Sequence, residues 1–293
     1  MNKRNMKKYI GFIVIAVLSA SLMLATTQIG SKKYYPFDEE EIQILFFGDS
    51  NLANRVEGKE IADRVKDALG CEVYNAAIGG TTAAKVNTEN YFDWTEDLFC
   101  FYNVSKIMET EEYQILLDSQ KTMLYNEQDG IGKMNMLVNM EYDKIDYIVI
   151  SYGLNDYMTG IPAYCGEDPF DEATYEGAMR SSVDRITGLC PNSTIIISSI
   201  TYCAYTGEED SELDGYSFSW GGGYIDDYRD AARKVASEYD NVILMDNLEM
   251  LGIDSTNHEQ YLWDKIHFDL EAQELYVDYL VSIIRENESN KDE

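Results

Sequence analysis

Residues 42–51, IQILFFGDSN, join an almost wholly apolar run to a polar turn. The first six residues suit a strand that is buried on both faces, as in a parallel sheet. Gly48 permits a sharp turn after this strand, and Ser50 then lies where a following helix would begin. The pattern predicts a serine hydroxyl exposed at the carboxyl end of a buried strand, where ligands bind in open α/β sheets. Taken alone, the same tripeptide also suits an ordinary turn with a helix-capping serine.

Apolar strands and amphipathic helices alternate along the rest of the chain. The hydrophobic pattern predicts strands at Ile42–Phe47, Glu72–Asn75, Ile145–Ser151, Thr194–Ser199 and Asn241–Met245. It predicts helices at Ile61–Leu69 and near Ala173–Leu189, Ile225–Tyr239 and Glu271–Arg285. This alternation favours an α/β fold with a mostly parallel sheet that helices cover on both faces.

A segment at about residues 90–143 departs from the alternation because it is rich in aromatic residues and Met. Asp97–Met108 and Glu111–Tyr125 have helical spacing, so we predict an insertion of helices and loops near the functional site. Its aromatic residues suit either core packing or contact with a substrate, and core packing is the commoner role at this spacing. We expect residues 34–293 to form one domain that carries this insertion.

The charge and the cysteine content exclude several classes of partner. The chain has 23 basic and 53 acidic residues, which gives a net charge of −30. This balance disfavours binding to nucleic acid and docking of the body onto anionic membranes, since both require basic groups. The five cysteines are widely spaced and form no Cys-x-x-Cys or Cys/His cluster. We therefore predict neither a structural zinc site nor a disulfide framework.

Two further polar turns follow predicted strands. The stretch NAAIGGTT at residues 75–82 places Gly80 where a backbone N–H can approach a reacting oxygen closely. The stretch GLND at residues 153–156 places Asn155 where its side-chain amide can donate a hydrogen bond to a developing oxyanion. Taken alone, the first also suits a strand-to-helix turn and the second an Asx turn.

Only two histidines, His258 and His267, are available as a general base. Asp264 lies three residues before His267, so a turn can direct its carboxylate to one ring nitrogen and leave the other free to accept a proton. His258 follows the polar residues 255–257 without such a partner, and we predict that it is a solvated loop residue. His267 is therefore the predicted base of a serine hydrolase, with Asp264 as its partner.

Taken together and in this order, the four motifs resemble the four sequence blocks of the SGNH, or GDSL-type, esterases and lipases. The matching residues are GDS at 48–50, Gly80, GLND at 153–156 and DKIH at 264–267. The resemblance covers about residues 42–285 without the insertion. It implies a three-layer α/β/α, flavodoxin-like fold with a mostly parallel sheet of five strands. Ala77 is a departure, because the second block more often has glycine there.

The resemblance also implies a role for each site residue. Ser50 would be the nucleophile, His267 the base and Asp264 the acid that orients the base, with no metal or organic cofactor. The backbone N–H groups of Ser50 and Gly80 and the side-chain amide of Asn155 would form the oxyanion hole.

These roles predict a serine esterase that hydrolyses carboxylic esters through an acyl-enzyme. Acetyl or other short acyl esters, carried on carbohydrates, are the favoured substrates. An O-acyltransferase acting on envelope polysaccharide is an alternative, because it shares the triad and differs only in the acceptor. A non-catalytic anchored binding protein of the same fold is a third interpretation, and the presence of every site residue counts against it.

Residues 1–33 have the pattern of an export segment. They include six basic residues and no acid, and an uncharged, mostly apolar run of 21 residues extends from Tyr9 to Ile29. That length is close to the roughly 20 residues needed to span a bilayer. The basic start predicts an anchor with its N-terminus in the cytoplasm and the body outside the membrane. Secretion after cleavage of a signal peptide is the alternative, although the sequence before Thr26 is a poor cleavage site.

The full-length protein should therefore fractionate with membranes and resist extraction by high salt or alkaline carbonate, since apolar contact rather than charge would hold it. A shortened chain that begins at Tyr34 should be soluble and equally active on small esters, because every motif lies beyond Ile42. The intact mass of the native protein provides the deciding measurement. A mature N-terminus between about Ala20 and Ser31 would instead show cleavage and secretion.

Overall fold

The computed structural model describes residues 41–86, 96–115, 127–207 and 211–291. The predicted export segment, residues 1–33, lies outside these ranges, as do residues 90–95 and 116–126 of the predicted insertion. Within the described ranges, no helix combines the length and the apolar character that are needed to cross a bilayer.

A parallel sheet of five strands forms the centre of the fold. The strands among the described residues are β1 (Gln43–Gly48), β2 (Glu72–Asn75), β3 (Tyr147–Ser151), β4 (Thr194–Ser198), β5 (Ala204–Thr206), β6 (Glu212–Asp214) and β7 (Val242–Met245). The sheet has the order β2-β1-β3-β4-β7, and every neighbouring pair in it is parallel. This is the strand order of flavodoxin-like doubly wound folds, so the predicted fold class is confirmed.

Helices lie between the strands along the chain. They are α1 (Ser50–Ala53), α2 (Ile61–Leu69), α3 (Glu96–Phe99), α4 (Phe101–Thr110), α5 (Glu127–Val138), α6 (Leu154–Thr159), α7 (Tyr175–Leu189), α8 (Ile225–Ala236), α9 (Asn247–Met250), α10 (His258–Tyr261) and α11 (Leu270–Lys291). Helix α2 packs against α11, whereas α7 packs against both α4 and α8. These two helix groups provide the outer layers of the α/β/α arrangement.

Burial on both faces explains why the central strands are apolar. Every residue of β1 and β3 is buried, and Ile44–Phe46 and Ile148–Ile150 have no exposed surface. Full burial of each such side chain contributes about 1.5–3 kcal/mol. Tyr276 of α11 adds a polar tie to the sheet, because its hydroxyl donates a hydrogen bond to Ser198 Oγ at 2.9 Å. The sheet is therefore a rigid support for the turns at its carboxyl edge.

The structure differs from the sequence prediction in three places. Strands β5 and β6 form an antiparallel hairpin that was not predicted, because each has only three residues and no apolar run. The predicted helix at Asp97–Met108 is divided, since Cys100 is extended and separates α3 from α4. The predicted helical segment Glu111–Tyr125 does not begin at Glu111, which is left-handed with φ of 58° and ends α4, and its residues 116–125 lie outside the described ranges.

Gly153 determines how the chain leaves β3 and enters α6. Its φ of 126° and ψ of −28° belong to a region that residues with a side chain rarely adopt. Its carbonyl oxygen accepts the Tyr157 N–H at 2.8 Å, which closes the first turn of α6. A Cβ added here would also lie 3.4 Å from Ile200 and Tyr175. The sharp entry places Asn155 directly beyond the carboxyl end of β3.

Replacing Gly153 by Ala should lower the free energy of unfolding by about 1–3 kcal/mol, because the positive φ would become strained. Gly166 provides a matched control, since a Cβ added there meets nothing within 4 Å and its φ lies outside the left-handed region. Gly166→Ala should change stability by less than about 0.5 kcal/mol. Urea unfolding measures both values, and equal losses in the two variants would contradict the assigned strain.

Candidate active site

Ser50 is the first residue of α1 and lies immediately after β1. Asp49 precedes it as the helix N-cap, and its carboxylate accepts a backbone N–H of the first turn at 3.0 Å. Gly48 has no room for a side chain, because an added Cβ would lie 2.7 Å from Leu52 Cδ1 and 2.8 Å from the Ser151 carbonyl oxygen. This tight turn holds Ser50, which is half-buried, at the carboxyl edge of the sheet.

His267 and Asp264 lie in a closed loop that precedes α11. An antiparallel bridge between Leu262 and Phe268 closes the loop, and Lys265 at its tip has a φ of 71°. Asp264 Oδ1 accepts the backbone N–H of His267 at 2.7 Å, and Asp264 Oδ2 lies 2.7 Å from His267 Nδ1. One carboxylate therefore fixes both the backbone and the ring of His267.

Two hydrogen bonds join the three side chains in a row. Ser50 Oγ lies 2.8 Å from His267 Nε2, and His267 Nδ1 lies 2.7 Å from Asp264 Oδ2. Burial raises the pKa of Asp264, but the hydrogen bonds from the backbone and ring of His267 outweigh it, so the pKa lies below its ordinary value. An ionised Asp264 favours the tautomer with a proton on Nδ1, which leaves Nε2 free to accept the Ser50 proton.

The other two candidate residues, Gly80 and Asn155, belong to two turns that a hydrogen bond joins. The turn that contains Gly80 approaches Ser50 closely, since a Cβ added at Gly79 would lie 3.5 Å from Ser50 Cβ. Asn155 Nδ2 donates one hydrogen bond to the Thr81 carbonyl at 3.0 Å, and its second N–H is available for another acceptor. Among the described residues, no acceptor pairs with the backbone N–H of Ser50 or of Gly80. The structure thus joins Ser50, His267 and Asp264 in one row, brings the turn of Gly80 beside Ser50, and links Asn155 to that turn through Thr81.

Asp156 has a structural function that the sequence analysis did not assign. Its side chain is fully buried, and its two oxygens accept the backbone N–H groups of Ala83 and Ala84, each at 2.9 Å. Burial raises the pKa of Asp156 to about 7, although these two hydrogen bonds oppose the rise. Asp156 therefore ties the chain after Gly80 to α6 and fixes Asn155 relative to it. The position of Asp156 in the GLND motif was the feature of the sequence that could have indicated this role.

Asn51 is a second residue whose structural role could not be assigned from the sequence. Its Oδ1 accepts the backbone N–H of Phe268 at 3.1 Å, and both groups are buried. Asn51 follows Ser50, and Phe268 follows His267. The bond therefore fixes the distance between the serine turn and the histidine loop. The adjacency of Asn51 to Ser50 pointed to the site, but its partner could not be read from the sequence.

His258 is not the solvated loop residue that the sequence predicted. It is 3% exposed, and its ring centroid lies 5.6 Å from that of Tyr202. His258 Nε2 lies 3.5 Å from Glu212 Oε1 on β6. The tertiary contact with the hairpin buries it, and spacing along the chain cannot show such a contact. The ring of His258 is thus part of a packing contact separate from the pair formed by Ser50 and His267.

The β5–β6 hairpin supports the histidine loop from outside. Lys265 Nζ lies 2.7 Å from Glu212 Oε2, and the Lys265 carbonyl oxygen accepts the Ala204 N–H at 3.0 Å. A left-handed lysine is strained by about 1–3 kcal/mol and persists only where its surroundings impose it. These two contacts, together with the closing bridge of the loop, impose that conformation two residues before His267.

Residues 44–280 match the family model of the GDSL-like lipases and acylhydrolases. The chain belongs to this family. The matched range extends from β1 into α11, so it contains Ser50, Gly80, Asn155, Asp264 and His267. The predicted family is therefore confirmed for most of the chain. A search of curated proteins finds no matching sequence.

Solved structures share the fold of this GDSL-family protein. One is a protein from Lactobacillus plantarum, with 15% identity and a TM-score of 0.56 over 84% of this chain and 97% of that chain. Another, described as a possible lipase from Chitinophaga pinensis, has 14% identity and a TM-score of 0.53 over 84% and 98% of the two chains. At these identities the likeness concerns the fold alone.

Replacing Asp156 by Asn should change how stability depends on pH. Because the pKa of Asp156 rises from 3.8 to about 7, the folded state binds this proton more tightly than the unfolded state. The stability of the wild type relative to D156N should therefore be greatest below about pH 4, fall as the pH rises to about 7, and then level off. Urea unfolding at intervals of pH measures this difference. A difference that does not change with pH would show that burial does not raise this pKa.

Proposed function

We propose that this GDSL-family protein is a serine esterase that hydrolyses carboxylic esters through an acyl-enzyme. The row of hydrogen bonds from Ser50 Oγ to His267 at 2.8 Å and from His267 to Asp264 at 2.7 Å carries the proposal. Such a row supplies an activated serine and a base whose orientation is fixed. The acylhydrolase family of the chain supports ester chemistry in particular.

In the first half of the proposed reaction, Ser50 Oγ attacks the ester carbonyl carbon while His267 Nε2 takes the hydroxyl proton. The carbonyl π bond opens and its oxygen becomes an oxyanion. When this intermediate collapses, the bond to the alcohol oxygen breaks, and the alcohol leaves with the proton from Nε2. The acyl group remains on Ser50 as an ester.

The oxyanion would be held by the backbone N–H groups of Ser50 and Gly80 and by the free N–H of Asn155. Donors that are fixed before the reaction stabilise charge without reorganisation, and removal of one costs about 3 kcal/mol in comparable sites. Asp156 supports this arrangement, because it fixes Asn155 relative to the turn that carries Gly80.

Water completes the proposed cycle. His267 Nε2 takes a proton from water, and the oxygen attacks the acyl carbon. Collapse then returns the proton to Ser50 Oγ and releases the carboxylic acid. A sugar hydroxyl in the place of water would give an acyltransferase, so product analysis with an acceptor present separates the two activities.

We propose acetyl or other short acyl esters of carbohydrates as the substrate class. The net charge of −30 favours a neutral substrate over an anionic one. We also propose that the body acts outside the cytoplasmic membrane, held by residues 1–33, on the basis of their basic and apolar pattern.

Ser50→Ala and His267→Ala should each lower kcat on p-nitrophenyl acetate by about 10⁴-fold or more, and the double variant should be no worse than either, because the residues act as one unit. Circular dichroism would check that the variants remain folded. His258→Gln is the matched control, since His258 packs on the hairpin, and it should retain activity. Loss of activity in H258Q with retention in H267A would reverse the assignment of the base.

Asp264→Asn tests the orienting role within the same scheme. It should hydrolyse esters far more slowly than the wild type yet still be labelled at Ser50 by a fluorophosphonate, at a reduced rate, because Asp264 supports the base without transferring a proton. Turnover equal to that of the wild type would exclude Asp264 from the mechanism.

A further inference from the structure

Trp263 holds an exposed indole ring against the proposed base. Its ring centroid lies 5.3 Å from that of His267, and the two planes differ by 18°. The backbone N–H of Trp263 also donates to the backbone carbonyl oxygen of His267 at 3.0 Å, so the two residues face each other across the closed loop. Trp263 is 63% exposed, which leaves the indole face that turns away from the imidazole open to solvent.

The proposed reaction determines whether the alcohol half or the acyl half of an ester lies beside Trp263. The alcohol oxygen must receive its proton from His267 Nε2, so the alcohol half departs beside the imidazole. The carbonyl oxygen must instead point towards the N–H groups of Ser50, Gly80 and Asn155. Because the indole of Trp263 stacks on the imidazole, it borders the alcohol half rather than the acyl half.

The charged groups of the same loop are already paired. Lys265 Nζ lies 2.7 Å from Glu212 Oε2, and the Asp264 carboxylate is bound to His267. The indole therefore presents an apolar face with no unpaired charge from its own loop beside it. A neutral group with a flat apolar face is the complement of such a surface.

Trp220 is also exposed but is held differently. It packs edge-on against Phe218 at 5.0 Å and against Tyr205 at 5.7 Å, and it is 49% exposed. These contacts belong to the hairpin and the chain that follows it, with no contact to the proposed base. Trp220 is therefore a matched control for the loss of a large exposed aromatic side chain.

We propose that Trp263 is the stacking platform for the alcohol half of the ester, and that the substrate carries there a neutral ring with a flat apolar face. A pyranose and an aryl ring share this chemistry, whereas a short open-chain alcohol does not cover an indole. This inference rests on the proposed esterase function and specifies its substrate.

The test compares Trp263→Ala, Trp263→Phe and Trp220→Ala with the wild type on three acetyl esters, namely an acetylated methyl glucopyranoside, phenyl acetate and ethyl acetate. The ratio of kcat/KM in each variant to that of the wild type is taken for each ester, so that differences in leaving-group reactivity cancel. The rate of Ser50 labelling by a small fluorophosphonate reports on the catalytic groups without an alcohol ring.

W263A should lose about three- to tenfold in kcat/KM on at least one ring ester, through KM, because an aromatic stacking contact contributes about that much. Hydrolysis of ethyl acetate, the pH profile of kcat and Ser50 labelling should stay unchanged. W263F should recover part of the loss, and W220A should show none. A loss confined to the pyranoside identifies a sugar, and a loss confined to phenyl acetate identifies an aryl alcohol.

Any one of four results would overturn the inference. Equal losses on all three esters with a shifted pH profile would show that Trp263 only positions His267. An unchanged kcat/KM of W263A on both ring esters, or an equal loss of kcat/KM in W220A, would show that Trp263 is not a stacking platform. A wild type that hydrolyses none of the esters and is not labelled at Ser50 would reject the esterase function itself, and the inference with it.

Discussion

One buried hydrogen bond joins the turn that carries Ser50 to the loop that carries His267 and fixes their relative position. Asn51 Oδ1 accepts the Phe268 N–H at 3.1 Å, and the two residues are separated by 217 positions along the chain. Asn51 lies on a helix that the first strand fixes, whereas Phe268 closes the loop that carries His267. A buried carboxamide oxygen without a partner would cost about 1–3 kcal/mol, so neither the turn nor the loop can move away without a penalty. The 2.8 Å contact between Ser50 and His267 depends on this constraint.

The carboxyl edge of the sheet is held by backbone geometry as much as by side chains. Gly48 has no side chain because β3 and α1 leave no room for one, and Gly153 has none because its φ is positive. Asp156 then joins the turns after β2 and β3 through two backbone N–H groups. The candidate site residues of this GDSL-family protein therefore lie on short turns that cannot relax independently.

Much of this arrangement could be predicted from the local sequence. The remainder depends on contacts between residues that are far apart in the chain, which local sequence does not reveal. Apolar runs located the strands of the central sheet, and the three-residue spacing of Asp264 and His267 predicted a contact that one turn can make. The β5–β6 hairpin has no apolar run, and it contacts a loop that is distant in sequence through the ion pair between Glu212 and Lys265. The burial of His258 depends on the same hairpin, so a prediction made from its polar neighbours was wrong.

The separation of Ser50 and His267 along the chain also determines how late the site can assemble during synthesis of the protein. Translation proceeds at roughly 5–20 residues per second, so about 10–40 s separate the synthesis of Ser50 from that of His267. The central strand β1 must likewise wait for β3, about a hundred residues later, before it can pair on that side. In a nascent chain the Ser50 hydroxyl therefore lacks its contact with His267 until the last loop closes.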